Sequence, residues 1–160
     1  MEQEERNTEG LEIRFSEQTD LGKVIDLLDE RFCQKEGYDR DRIRKYVSLK
    51  HTQGRLFVAI KNFRVAALIC FRPMFWEKAF YLEELAVKKE YQNSKIGTKC
   101  LNHLKDRAAQ EHQRGVFLDT NPENEDAIRF YRENGFKEVG QIENLYKRGK
   151  KQLIYAWFND

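Results

Sequence analysis

Residues 56–71 read LFVAIKNFRVAALICF, two apolar runs at 56–60 and 65–71 with a polar turn at 61–64 between them. Short apolar runs rich in branched and aromatic residues, joined by a tight turn, predict an antiparallel hairpin. Both strands are apolar on both faces, so another layer has to cover each face.

The flanking patterns supply that cover. Leu11, Ile13 and Phe15 alternate with polar neighbours, the period of a half-buried strand. Leu21, Val24, Ile25, Leu28 and Phe32 fall at i, i+3, i+4, i+7 and i+11, which predicts a helix capped at Thr19 or Asp20 and ending near Gly37. Ile43, Tyr46 and Val47 repeat the helical period on a shorter segment that fades before Gly54, and Pro73 is expected to break the second hairpin strand. Residues 79–87 read as a strand with Glu83 and Glu84 in its middle. Ile96, Cys100, Leu104 and Ala108 line one face of a further helix that exits at Gly115. A short strand at 116–119 follows, then a helix over 121–135 with acids in its first turn and glycine at its end. Strands at 138–146 and 152–158, joined by the basic turn KRGKK, close the chain. This order describes a mixed α/β fold with helices packed on a central sheet. Its 160 residues suit one domain over 1–160, with the first ten residues disordered.

Twenty-nine Lys plus Arg nearly cancel twenty-seven Asp plus Glu, and a net charge of +2 gives no reason to expect nucleic acid or a membrane as partner. The acidic start MEQEERNTEG is unlike a signal peptide, and the apolar run 65–71 is far too short to span a bilayer, so the reading is a soluble protein. Cys33, Cys70 and Cys100 are odd in number and form no CxxC pair; they read as reduced, buried thiols of a cytoplasmic protein. His51, His103 and His112 share no zinc-site spacing, and no metal is expected.

Two stretches carry chemistry. In YQNSKIG, residues 91–97, a strand hands over to a helix through a polar turn, an arrangement that aims backbone N–H groups and the helix dipole at one point and suits a phosphate. Neither GxGxxG nor GxxxxGK[ST] is present, so the turn alone reads equally as a plain connection. In NEDAIRFYRENGF, residues 124–136, Asn124 caps a helix on which Ala127, Phe130 and Tyr131 share a face, and the Tyr131 hydroxyl needs a partner.

Together, Gln-x-x-x-x-Gly after a strand ending LEELAV and N-x-x-A-x-x-F-Y-x-x-x-G-F some 27 residues later resemble the GNAT superfamily of acyl-CoA-dependent N-acetyltransferases. The resemblance covers roughly residues 80–136 at motif level. It implies a central, mostly antiparallel seven-stranded sheet, splayed in the middle and flanked by about four helices. It further implies acetyl-CoA as co-substrate, with no metal. The turn of Gln92, Asn93, Ser94, Lys95, Ile96, Gly97 and Thr98 would hold the pyrophosphate. Leu85, Ala86 and Val87 would pair with the pantetheine arm as if it were an added strand, and a backbone N–H near Val87 would polarise the acetyl carbonyl. Asn124 would touch the pantetheine or an ordered water, and Tyr131 would return a proton to the departing thiolate. The family's pattern has glycine where this chain has Lys95. A lysine there would cost about 1 kcal/mol of backbone strain if the position requires φ > 0; the expectation is instead that it keeps ordinary helical angles and brings a cation to the phosphates.

Amine acetylation needs a neutral amine, so a base is required. Glu83 and Glu84 lie on the strand beside the expected thioester and point to opposite faces; either is a candidate base, and pairing with lysine or arginine is the structural alternative for each. Transfer would be direct, in a ternary complex, since Cys100 has no histidine placed to activate it. For the acceptor, Met74, Phe75 and Trp76 offer an apolar lip and Asp29, Glu30 and Glu36 an acidic border. A small-molecule amine and a protein amine both remain open, and a homodimer is allowed. The competing readings are a non-catalytic acyl-CoA binding or sensing module and a plain structural α/β domain.

Overall fold

The hairpin register is set at its tip. Asn62 and Phe63 both take positive φ (49° and 60°), the handedness that matches the twist of two antiparallel strands, and Lys61 and Arg64 face each other as the last rung. The strands are β2 (Leu56–Lys61) and β3 (Arg64–Met74). The computed structural model describes residues 8–32, 39–74 and 78–159. In chain order the elements are β1 (Glu12–Phe15), α1 (Leu21–Phe32), α2 (Arg40–Thr52), β2, β3, β4 (Ala79–Val87), α3 (Ile96–Gln110), β5 (Gly115–Thr120), α4 (Glu125–Glu133), β6 (Lys137–Glu143) and β7 (Lys151–Phe158). The seven strands form one sheet in the order β1-β2-β3-β4-β5-β7-β6, and of the pairings with a register only β4–β5 is parallel.

Contacts resolve two compact units, the first of residues 1–71 and 83–103, the second of residues 72–82 and 104–160. In the first, α1 and α2 bury Val24, Leu28, Ile43 and Val47 against Leu56, Val58, Leu68 and Cys70. A separate cluster is built on small side chains, Ala59, Ala66 and Ala67, which admit Ile96 and Cys100 at the start of α3. In the second unit, β5 pairs antiparallel with β7 and β7 with β6. Tyr155 and Phe136 are buried there, and Lys105 of α3 donates to the Asn134 carbonyl (2.5 Å) while lying over the Phe136 and Trp157 rings.

Several boundaries differ from the sequence reading. Pro73 does not break β3: Phe71 N–H donates to Arg55 O (3.1 Å), so two residues on the proline nitrogen faces the same side, beyond the end of β2, where no rung is lost. The second helix is not the shorter one, because Asp39 caps α2 through Arg42 N–H (2.7 Å) and an Asp41–Arg44 pair supports its exposed face. The helix expected over 121–135 starts only at Glu125. Asn121 precedes a proline, which disfavours helical angles, and its side chain instead accepts from Glu123 N–H (2.9 Å). Strand β6 ends at Glu143, where Asn144 turns left-handed (φ 61°) and receives Gly149 N–H on its side chain. Of the first ten residues only 8–10 are described, in a turn closed by Leu11 N–H to Thr8 O (3.1 Å). No helix among the described residues is long and apolar enough to cross a membrane.

Gly115 opens β5 where it meets β7. A Cβ added there would lie 2.3 Å from the Trp157 carbonyl oxygen, a backbone atom with no freedom to move aside. Gly115→Ala is therefore expected to destabilise the fold by about 2 kcal/mol or more, read as a lower midpoint in urea denaturation.

Candidate active site

The first unit holds β4 from Glu83 onward and the turn that follows. Lys88 N–H donates to Ala66 O (2.9 Å), so by strand alternation the N–H and C=O groups of Leu85 and Val87 lie on the side away from β3. Side chains meet both oxygens: Arg31 Nη1 donates to Leu85 O (2.8 Å) and Gln92 Nε2 to Val87 O (3.2 Å). A 3₁₀ turn, Lys89–Tyr91, leads into the polar segment, and Ser94 Oγ donates to Tyr91 O. Lys99 N–H bonds to Lys95 O (2.9 Å), which opens α3 and leaves the N–H groups of Ile96, Gly97 and Thr98 without an intrahelical acceptor, as at any helix start. Gln92, Asn93, Ser94, Lys95, Ile96, Gly97 and Thr98 thus form one turn.

Lys95 corrects the sequence reading. It does not keep helical angles: its φ is 64°, and Asn93 is likewise left-handed at 60°. The chain enters the turn extended at Gln92 and has to reverse into α3 within a few residues. Asparagine tolerates that conformation, whereas lysine bears a strain of about 1–2 kcal/mol that glycine would not.

Glu83 and Glu84 each have a cation beside them. Glu83 forms an ion pair with Lys50, which is 5% exposed and whose Nζ also lies 5.4 Å above the Tyr46 ring. Glu84 Oε2 is 3.7 Å from Arg31 Nε. The two partners come from α2 and α1, helices packed in one cluster, so the opposite faces expected from alternation do not keep the two glutamates from meeting cations of the same helical layer.

The second unit holds Asn124 and Tyr131. Asn124 caps α4 by accepting Ala127 N–H (3.2 Å). The half-buried Tyr131 ring packs between Phe130 and Phe136 (centroids 5.3 and 5.8 Å), and its carbonyl accepts Phe136 N–H. The same unit contains a cluster that sequence reasoning missed. The recorded β4–β5 rungs end at Tyr81–Phe117, and just beyond, Asp119 Oδ1 accepts the hydroxyls of both Tyr81 and Tyr146 (2.9 Å for Tyr146). Burial first, then the bond to Asp119 and its charge, raises the Tyr81 pKa well above its ordinary range, so the hydroxyl stays a donor. Arg72 lies 4.7 Å over the Tyr81 ring, yet among the described residues no Lys or Arg is in ion-pair range of Asp119. The available signal was an aspartate inside the core strand VFLDT, flanked by buried Leu118 and Thr120.

The other candidates settle briefly. Asp29 is bonded to Arg40 (2.8 Å), and His51 to Ser16 (2.8 Å). No group of metal-ligating side chains occurs among the described residues. Cys33, Glu36, Gly37, Phe75 and Trp76 lie outside the described residues. Cys70 and Cys100 are buried thiols whose pKa burial pushes up to about 12.

Lys95→Gly is expected to raise stability by roughly 1 kcal/mol, seen as a higher denaturant midpoint with unchanged slope. The thiols set an alkaline limit. Their folded-state pKa is raised, so their contribution is complete below the ordinary value of 9.0 and is lost as pH rises from there toward 12. Melting temperatures of the wild type should therefore fall above about pH 9, and Cys70→Ala/Cys100→Ala should flatten that fall.

The profile of the Acetyltransferase (GNAT) family matches residues 22–136. The chain is 33% identical over 109 residues to N-alpha-acetyltransferase 30 of Schizosaccharomyces pombe, covering 64% of this chain and 70% of that one. Its fold superposes on a GNAT-family acetyltransferase structure from Desulfovibrio desulfuricans with a TM-score of 0.80 at 20% identity, covering 92% and 98% of the two chains. A streptothricin acetyltransferase structure from Bacillus anthracis, in complex with acetyl coenzyme A, matches with a TM-score of 0.62 at 22% identity over 66% and 63%. With the family profile spanning most of its length, the chain belongs to the GNAT acetyltransferase family.

Proposed function

We propose that the protein is an acetyl-CoA-dependent N-acetyltransferase whose acceptor is the α-amine of a protein N-terminus, reached by direct transfer in a ternary complex. The observation that carries the reading is Asp119: one carboxylate oxygen is filled by two tyrosine hydroxyls, and no cation among the described residues competes for the other. An α-amine has a pKa near 7.7–8.0, about two units below an alkyl amine, so a carboxylate that only has to collect a weakly held proton suffices. The name of the relative at 33% identity supports the same acceptor class.

The chemistry then balances as follows. The amine nitrogen attacks the acetyl carbonyl, the carbon–sulfur bond breaks, the amine's surplus proton passes to Asp119, and Tyr131 gives its proton to the leaving thiolate. Solvent restores both groups. The Val87 N–H polarises the carbonyl, and the turn 92–98 with the α3 dipole holds the pyrophosphate. Glu83 and Glu84, each held beside a cation, keep α2 and α1 tied to β4 and do not collect the proton. Cys100, protonated at neutral pH, takes no part. Two buried thiols suit a reducing, cytoplasmic setting.

The test is mass-spectrometric detection of acetylated products from acetyl-CoA and a panel of N-terminal peptides, polyamines, aminoglycosides and amino acids. Asp119→Asn should lower kcat on the preferred acceptor by roughly 10²-fold or more, with the acetyl-CoA melting shift retained, and Tyr131→Phe should lower it as well. Wild-type turnover by Asp119→Asn would exclude the carboxylate as base. Product only on polyamines or aminoglycosides would exclude the α-amine, and a melting shift with no product on any acceptor would favour the sensing module.

A further inference from the structure

The edge of β4 that faces away from β3 has acceptors at Leu85 O and Val87 O, and in this structure both are met by side chains. An arm laid along this edge as an added strand has to place its own amide N–H groups on those oxygens. Gln92 belongs to the turn itself, but Arg31 comes from the last turn of α1, more than fifty positions away in sequence. Its guanidinium donates to Leu85 O at 2.8 Å through Nη1, its Nε lies 3.7 Å from the Glu84 carboxylate, and it sits over the neighbouring Phe32 ring at 5.7 Å. A guanidinium is a rigid fork of donors, so these contacts hold it as a plate against the β4 edge.

We propose that Arg31 is a positioning residue that controls access of the acyl-CoA arm to β4, an inference that rests on reading Leu85–Val87 as the strand that pairs with pantetheine. In the free protein the guanidinium occupies the Leu85 carbonyl and ties the end of α1 to the cofactor edge. When the arm binds, its amide takes that carbonyl and Arg31 withdraws onto Glu84, a carboxylate it already borders. Cofactor binding thereby releases the Leu85 carbonyl while the Arg31–Glu84 pair still holds the end of α1 on β4. A carbonyl oxygen accommodates two donors, so the competition is partial and its effect on affinity is graded.

Calorimetric titration of acetyl-CoA into wild type, Arg31→Met and Arg31→Lys tests this. The Arg31 side chain is 44% exposed, so the substitutions are compatible with folding, and melting without ligand verifies it. Arg31→Met should bind acetyl-CoA roughly threefold to tenfold more tightly, with KM for acetyl-CoA falling in step. Arg31→Lys, which keeps one charged donor near the carbonyl, should fall between. A merely structural arginine would change the ligand-free melting temperature and leave KM for acetyl-CoA alone. Equal or weaker binding by Arg31→Met, with wild type binding normally, overturns the role of Arg31. Failure of the wild type itself to bind acetyl-CoA overturns the pantetheine reading beneath it.

Discussion

The β2–β3 hairpin has no face that water can be allowed to reach. Val58, Ala59, Ala66, Ala67, Leu68 and Cys70 are all fully buried, which is attainable only if separate layers cover the two faces. The faces are chemically different. On one, leucine and valine meet the broad apolar stripes of α1 and α2; on the other, three alanines leave room for a helix to come close. Ile96 and Cys100 fill that room at 0% and 1% exposure, which fixes the first turn of α3 against the sheet. The position of the 92–98 turn is therefore a consequence of alanine in the hairpin: larger side chains there would push the helix start away from β4.

The same packing explains how β4 divides its side chains. Leu85 and Val87 join the alanine cluster with Tyr91, while Ala86 faces the α1–α2 core. Side-chain burial thus anchors the strand from both faces, and its backbone on the side away from β3 is served by Arg31 and Gln92 in place of a strand. A strand held this firmly by its side chains can leave backbone groups for a ligand without losing its own extended shape, which is the requirement for binding by strand addition.

Features that depend on local pattern were legible in the sequence: the hairpin, the helical faces of α1 and α3, the Asn124 cap and the handover from strand to helix at 91–97. Boundaries slipped where a single side chain outcompeted periodicity, as at Asn121 and Asn144, whose side chains bond to nearby backbone N–H groups. Lys95 was misread because its backbone angle answers to the path of the chain between Gln92 and α3 and not to the preference of lysine. The Tyr81–Asp119–Tyr146 cluster was invisible for a plainer reason. Its members are separated by 38 and 27 positions and lie on β4, on β5 and after β6, so no spacing rule connects them before the strands are paired.

Three acids on or next to the sheet, Glu83, Glu84 and Asp119, have unlike partners. The two glutamates have cations from α2 and α1 within ion-pair distance. Among the described residues Asp119 is held by two phenols, which orient it and offset its partial burial without cancelling its charge. The raised Tyr81 pKa keeps its hydroxyl protonated and so a donor to Asp119. Those partners, more than position along the strand, separate Asp119 from the two glutamates.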